Sequence, residues 1–111
     1  MTDYDQLGVL RLLYQLPEHE RRAFAHEVLG SLVADDGGAD AAAMRSVLHA
    51  LRSAHGNITE AARHLFIHPN TLRQRIARIE SLIGPFLADA DRRMTVFVAL
   101  DLHLLDSDES R

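Results

Sequence analysis

Residues 57–84 read NITEAARHLFIHPNTLRQRIARIESLIG, and this stretch decides the fold. It resolves into two short helices around a tight turn. Asn57 is placed to cap the first, with Glu60 three residues on, a capping box with Asn in place of Ser or Thr. Ile58, Ala61, Ala62 and Leu65 then recur at helical spacing and form a thin apolar stripe, which the paired alanines leave open to close crossing by a neighbour. Phe66, Ile67 and His68 fall in the turn, with apolar Ile67 suited to plug the corner. Pro69 fits the first position of the second helix, where its missing N–H costs nothing, and this makes His68 the expected cap.

The second helix is expected over Pro69–Ile83. Leu72, Ile76, Ile79 and Ile83 step by four, three and four and mark one buried stripe. At roughly 100° per residue, Asn70, Gln74, Ala77, Arg78 and Ser81 fall opposite it, with Thr71, Arg73 and Arg75 on the flanks. No acidic residue interrupts residues 70–79. Asn and Gln pair bidentately with adenine, and Arg pairs with guanine or phosphate, so this face suits base edges and backbone. A solvated arginine face on a purely structural helix uses the same residue types. The tight turn, the proline start and the polar face together favour a helix-turn-helix, whose second helix enters the DNA major groove.

The run AARHLFIHPNTLRQRIARIESLIG resembles the C-terminal DNA-binding domain of the PucR/CdaR family of bacterial transcription regulators. The matching positions are Ala61, Ala62, Leu65, Ile67, His68, Asn70, Thr71, Leu72, Arg73, Arg75, Ile79 and Glu80. The likeness continues through Gly84 and residues 89–93, and more loosely upstream to Leu7, Gly8, Leu12 and Leu13. Two positions depart from the pattern. Pro69 stands where the family often has a basic residue, and Gln74 stands where it often has Tyr, so no base preference is carried over. The resemblance implies an α-helical, Fis-like helix-turn-helix at the end of a longer regulator, whose sensory region is absent from this chain.

Composition sets the outer bounds. A chain of 111 residues suffices for one domain with a modest core, and 47% hydrophobic with only 5% aromatic residues makes that core mostly aliphatic. There is no cysteine, which excludes disulfides and thiolate metal sites. All twelve basic residues are arginine, a coding bias expected of a GC-rich genome. No run is long and apolar enough to span a membrane, and no signal peptide is visible, so a cytoplasmic location with no membrane partner is expected. The net charge of −4 opposes DNA binding taken whole, but residues 52–80 carry five Arg against two acidic residues, while residues 1–40 carry three Arg against eight. Positive charge is concentrated on the motif.

Around the motif the chain reads as further helices, giving an all-α bundle of about six. Residues 7–16 form the first, with Val9, Leu12, Leu13 and Leu16 on one face. Pro17 ends it and opens a second helix at its first position, running to about Val33 with Phe24, Val28, Leu29 and Leu32 inward and Gly30 inside it. Residues 35–40, DDGGAD, read as a linker between this N-terminal pair (1–34), a connector or dimerisation segment, and the DNA-reading domain (41–105). Asp40 caps a third helix over 41–54, with Met44, Val47, Leu48 and Leu51 inward and Gly56 as its stop. Beyond Gly84 and Pro85, Phe86 and Leu87 bridge to a last helix, capped by Asp89 or Asp91. It ends near Leu105 with Met94, Phe97, Val98, Leu102 and Leu105 buried and Leu100 and Leu104 widening that side. Residues 106–111 read as a frayed acidic tail.

Other chemistry finds little support. His64 and His68 are four apart, but the turn that precedes Pro69 separates them and no cysteine is near, so no metal and no cofactor are expected. No nucleophile motif, phosphate-cradling glycine loop or paired carboxylate arrangement is present, and no enzyme is expected. The expected function is sequence-specific binding of double-stranded DNA. Asn70, Thr71 and Gln74 would meet base edges; Arg63, Arg73, Arg75 and Arg78 would meet phosphates, with Arg73 or Arg78 alternatively reading a guanine; His68 would fix register on a phosphate. Arg75, close to the stripe, has a structural role as its alternative. Because one small motif buries little surface, a homodimer on a near-palindromic site is expected. The alternative function is a helical dimerisation or protein-partner module that does not read DNA.

Overall fold

The computed structural model describes residues 11–12, 15–33 and 38–109, with side chains to residue 104. Five α-helices appear there: α1 (Glu18–Leu29), α2 (Gly38–Ser53), α3 (Ile58–Leu65), α4 (Pro69–Ile83) and α5 (Ala90–Glu109), with a 3₁₀ turn at Gly30–Val33 after α1. No strand occurs among the described residues. The all-α expectation holds, with five helices rather than about six. The additional helix expected over 7–16 falls largely outside the described residues, although Arg11 and Leu12 are helical.

Several boundaries move for local reasons. Pro17 occupies the cap position of α1 rather than its first turn, and its carbonyl accepts from the Glu20 and Arg21 amides. Gly30 does not lie inside a continuous helix: at φ +54° and ψ −124° it takes a conformation open to glycine, and α1 breaks there into the 3₁₀ turn. Helix α2 starts at Gly38, so Asp40 sits within its first turn rather than capping it. An acidic residue there favours the helix dipole, and the alanines at 41–43 propagate the helix. Helix α5 continues to Glu109, since residues 106–109 hold no glycine or proline to stop it.

One core joins all five helices. Val28, Leu29 and Leu32 from the N-terminal segment, Val47, Leu48 and Leu51 from α2, Ala61 and Ala62 from α3, and Leu72, Ile76 and Ile79 from α4 are all buried. Phe86 and the α5 residues Val96, Ala99 and Leu100 complete it. Helix α1 packs chiefly on α5, and α2 touches α3, α4 and α5 and so forms the scaffold beneath the motif. The expected inward face of α5 is rotated. Val96, Ala99, Leu100 and Leu102 are buried, but Met94 and Leu104 are exposed, and the Leu105 side chain lies outside the described residues. Apolar residues surround so much of α5 that periodicity alone could not select the buried stripe.

Arginines fasten the elements to one another. Arg52 of α2 pairs with Asp101 of α5 at 3.1 Å, with both side chains mostly buried. Arg45 donates to the Leu32 carbonyl at 2.5 Å, and buried Arg21 donates to the Leu16 carbonyl at 2.6 Å. At the end of α2, the Gly56 amide bonds the Leu51 carbonyl at 2.8 Å, and both His55 and Gly56 take positive φ. This six-to-one closure sends the chain into α3. A Cβ at Gly56 would only touch the Arg93 side chain, at 3.4 Å, so it is the φ of +84° that calls for glycine there.

Candidate nucleic-acid interface

The two motif helices form as their caps dictate. The Asn57 side chain accepts from the Glu60 amide at 3.0 Å, while the Asn57 amide is taken by the Ala54 carbonyl, so only one half of the capping box forms. Helix α3 ends at Phe66 in the left-handed region, φ 58° and ψ 41°, and the Ile67 amide closes back on the Ala62 carbonyl at 3.0 Å. Ile67 packs against the core.

Helix α4 opens as expected. Pro69 holds its first position, and His68 caps it through Nδ1, which accepts from the Asn70 amide at 3.1 Å. That acceptance puts the proton of the neutral imidazole on Nε2, and the exposed ring is free to donate outward. Pro69 has no amide, Asn70 spends its own on His68, and the Leu72 amide bonds the His68 carbonyl. Thr71 therefore holds the uncommitted amide of this first turn among the described residues.

Leu72, Ile76 and Ile79 are buried, and Ile83 is half-buried. The opposite face is open: Asn70, Gln74, Ala77, Arg78 and Ser81 are exposed, as are Arg73 and Arg75, while Thr71 is half-buried. Arg75 stands in solvent, and no ion pair holds it among the described residues. Arg63, near the end of α3, is exposed beside the turn. Arg73 donates to the Asn70 side-chain oxygen at 3.3 Å, which links a cation to an amide one turn apart on the same face. Arg78 is engaged: its guanidinium donates to Asp40 at 2.7 Å, across from the first turn of α2.

Glu80 has a role that periodicity did not reveal. Its carboxylate accepts from the Phe86 amide at 2.8 Å and the Leu87 amide at 3.2 Å, fixing the loop that follows α4. Arg92 donates to the Ile83 carbonyl at 2.9 Å, closing the end of α4, and Arg93 donates to the Leu87 carbonyl at 2.7 Å. Asp89, rather than Asp91, caps α5 by accepting from the Asp91 and Arg92 amides. With Arg52 and Arg78 paired and Glu80 turned to the loop, Arg63, Arg73 and Arg75 remain as the cations the motif presents to solvent. No group of three metal-ligating side chains occurs among the described residues. None of their helices is long and apolar enough to cross a membrane.

Comparison with known proteins points the same way. The family model described as the PucR C-terminal helix-turn-helix domain matches residues 44–102, more than half of the chain. The chain is 33% identical over 107 residues to the purine catabolism regulatory protein of Bacillus subtilis, covering 94% of itself and 19% of that protein. It is 36% identical over 85 residues to an uncharacterized protein in the pkwA 5' region of Thermomonospora curvata, covering 77% of itself and 46% of that protein. It therefore spans less than half the length of either relative. No solved structure matches it. On the strength of the matched span and the motif geometry, the chain belongs to the PucR C-terminal helix-turn-helix family of transcription-regulator domains.

Proposed function

We propose that this domain binds double-stranded DNA sequence-specifically as the reading head of a PucR/CdaR-like regulator, with α4 lying in the major groove. The observation that carries the reading is the open polar face of α4 above a fully buried Leu72–Ile76–Ile79 stripe. Asn70, Thr71 and Gln74 would meet base edges, and Arg63, Arg73 and Arg75 would meet phosphates. His68 would donate Nε2–H to a phosphate beside the Thr71 amide, at the positive end of the helix dipole. Arg78 would join only by exchanging Asp40 for DNA.

Two copies would bind half-sites about one DNA turn apart, since a single motif of this size buries too little surface for tight specific binding. Residues 1–34 would then act as a connector or dimerisation segment toward a sensory region in a longer cytoplasmic protein. The lengths of both relatives support that reading. Selection of bound duplexes from a random pool tests the proposal. It predicts enrichment of a short near-palindromic sequence whose retention falls with added salt. A pool that stays random through successive rounds would reject sequence-specific binding.

A further inference from the structure

Phe66 is the most exposed large apolar residue described, at 94% of its full surface, and its backbone is left-handed at φ 58°. Both features work against the fold. A left-handed residue ending a helix is ordinarily Gly or Asn, which reach that conformation at little cost. An aromatic ring in water returns none of the stabilisation that burial would bring. Its neighbours Leu65 and Ile67 pack on the core, so the turn itself needs no ring at the intervening position.

The charge of its surroundings favours one class of partner. Phe66 lies two residues before the His68 cap of α4, and Arg63, His64, His68 and Arg73 are all exposed nearby in sequence. No Asp or Glu occurs anywhere in residues 61–79. A second copy docking through this same patch would bring like charges together, which disfavours it. A polyanion is attracted by the same patch. We propose that Phe66 is a DNA-contact residue, its ring packing on apolar groups of the duplex (deoxyribose carbons and a thymine methyl) at the edge of the groove entered by α4. This rests on the reading of α4 given above and adds a residue of a different chemical kind to it.

The test uses this chain and a duplex enriched by it from a random pool, with wild type, Phe66→Asn, Phe66→Leu and Arg73→Ala compared by fluorescence anisotropy over a salt series. Asn tolerates the left-handed backbone, so Phe66→Asn should melt at or above the wild-type temperature while binding the duplex about 5- to 10-fold more weakly, the scale of one lost base-edge contact. Its salt dependence should stay that of wild type, because no phosphate partner is lost. Phe66→Leu should recover part of the affinity. Wild-type affinity in Phe66→Asn, with Arg73→Ala weakened, would overturn the Phe66 assignment and leave the DNA reading standing. Loss of self-association in Phe66→Asn at unchanged affinity per protomer would also overturn it, in favour of a contact between copies. Failure of the wild-type chain to bind any duplex would remove both.

Discussion

The guanidinium of Arg78 on α4 lies 2.7 Å from the carboxylate of Asp40 in the first turn of α2, and both side chains are about two-thirds exposed. The pair joins residues 38 apart in sequence and sets one cation of the polar face against an internal anion. An exposed ion pair contributes about 0–1 kcal/mol, so the fold does not depend on it and a phosphate can replace the carboxylate.

Replacing Asp40 should therefore alter binding more than folding. Asp40→Asn is expected to raise affinity for duplex DNA by about 2- to 5-fold at low salt, with the gain shrinking as salt rises, because it removes a competitor for Arg78 and one repelling charge. Thermal stability should change by less than about 1 kcal/mol. Titration of the two proteins at two salt concentrations checks this. An unchanged affinity at low salt would mean that Arg78 does not approach DNA.

Glu80 supplies a contrasting case, in which a charged residue of the motif serves the fold. Its Oε2 takes two loop amides, so Glu80→Ala should leave both without a protein acceptor and destabilise the domain by about 1–3 kcal/mol. Glu80→Gln keeps an acceptor oxygen and should lose less. Urea unfolding of the three proteins measures the order. Equal midpoints would show that water replaces the carboxylate freely.

His49 on α2 predicts a pH dependence. Burial lowers its pKa below the usual 6.5, as do Arg45 and Arg52, with Asp101 opposing them. In the window between its folded value and 6.5, the unfolded chain binds a proton that the folded chain does not. Stability from this group is therefore lost as pH falls through 6.5 and onward toward the folded value. His49→Gln should show a shallower decline in melting temperature between about pH 7 and about pH 5 than wild type. Parallel declines would assign the acid sensitivity elsewhere.

The motif was legible because local rules govern it. The Asn57 and His68 caps, Pro69 at the helix start and the Leu72–Ile76–Ile79 stripe all follow from spacings of a few residues, and each appears where those spacings place it. What sequence could not supply was the choice among partners distant in the chain. The five arginines of residues 52–80 look alike in the sequence, yet Arg52 belongs to Asp101 and Arg78 to Asp40, and only the fold brings those carboxylates near. The same holds for α5, where Met94 and Leu104 lost the competition for the core to Val96 and Ala99. The position of Phe66 in the turn follows from the sequence, but its exposure and left-handed backbone depend on how α3 closes.

Arg73 offers the most direct trial of the central claim, because it is exposed on the polar face and its hydrogen-bond partner among the described residues is Asn70 on its own helix. The measurement is the slope of log affinity against log salt concentration for a selected duplex, wild type against Arg73→Ala, alongside the melting temperature of each. If α4 meets DNA with this face, the variant folds as wild type, binds more weakly, and loses about 0.9 from the slope, the signature of one phosphate contact removed. Identical slopes and affinities for the two proteins would contradict it.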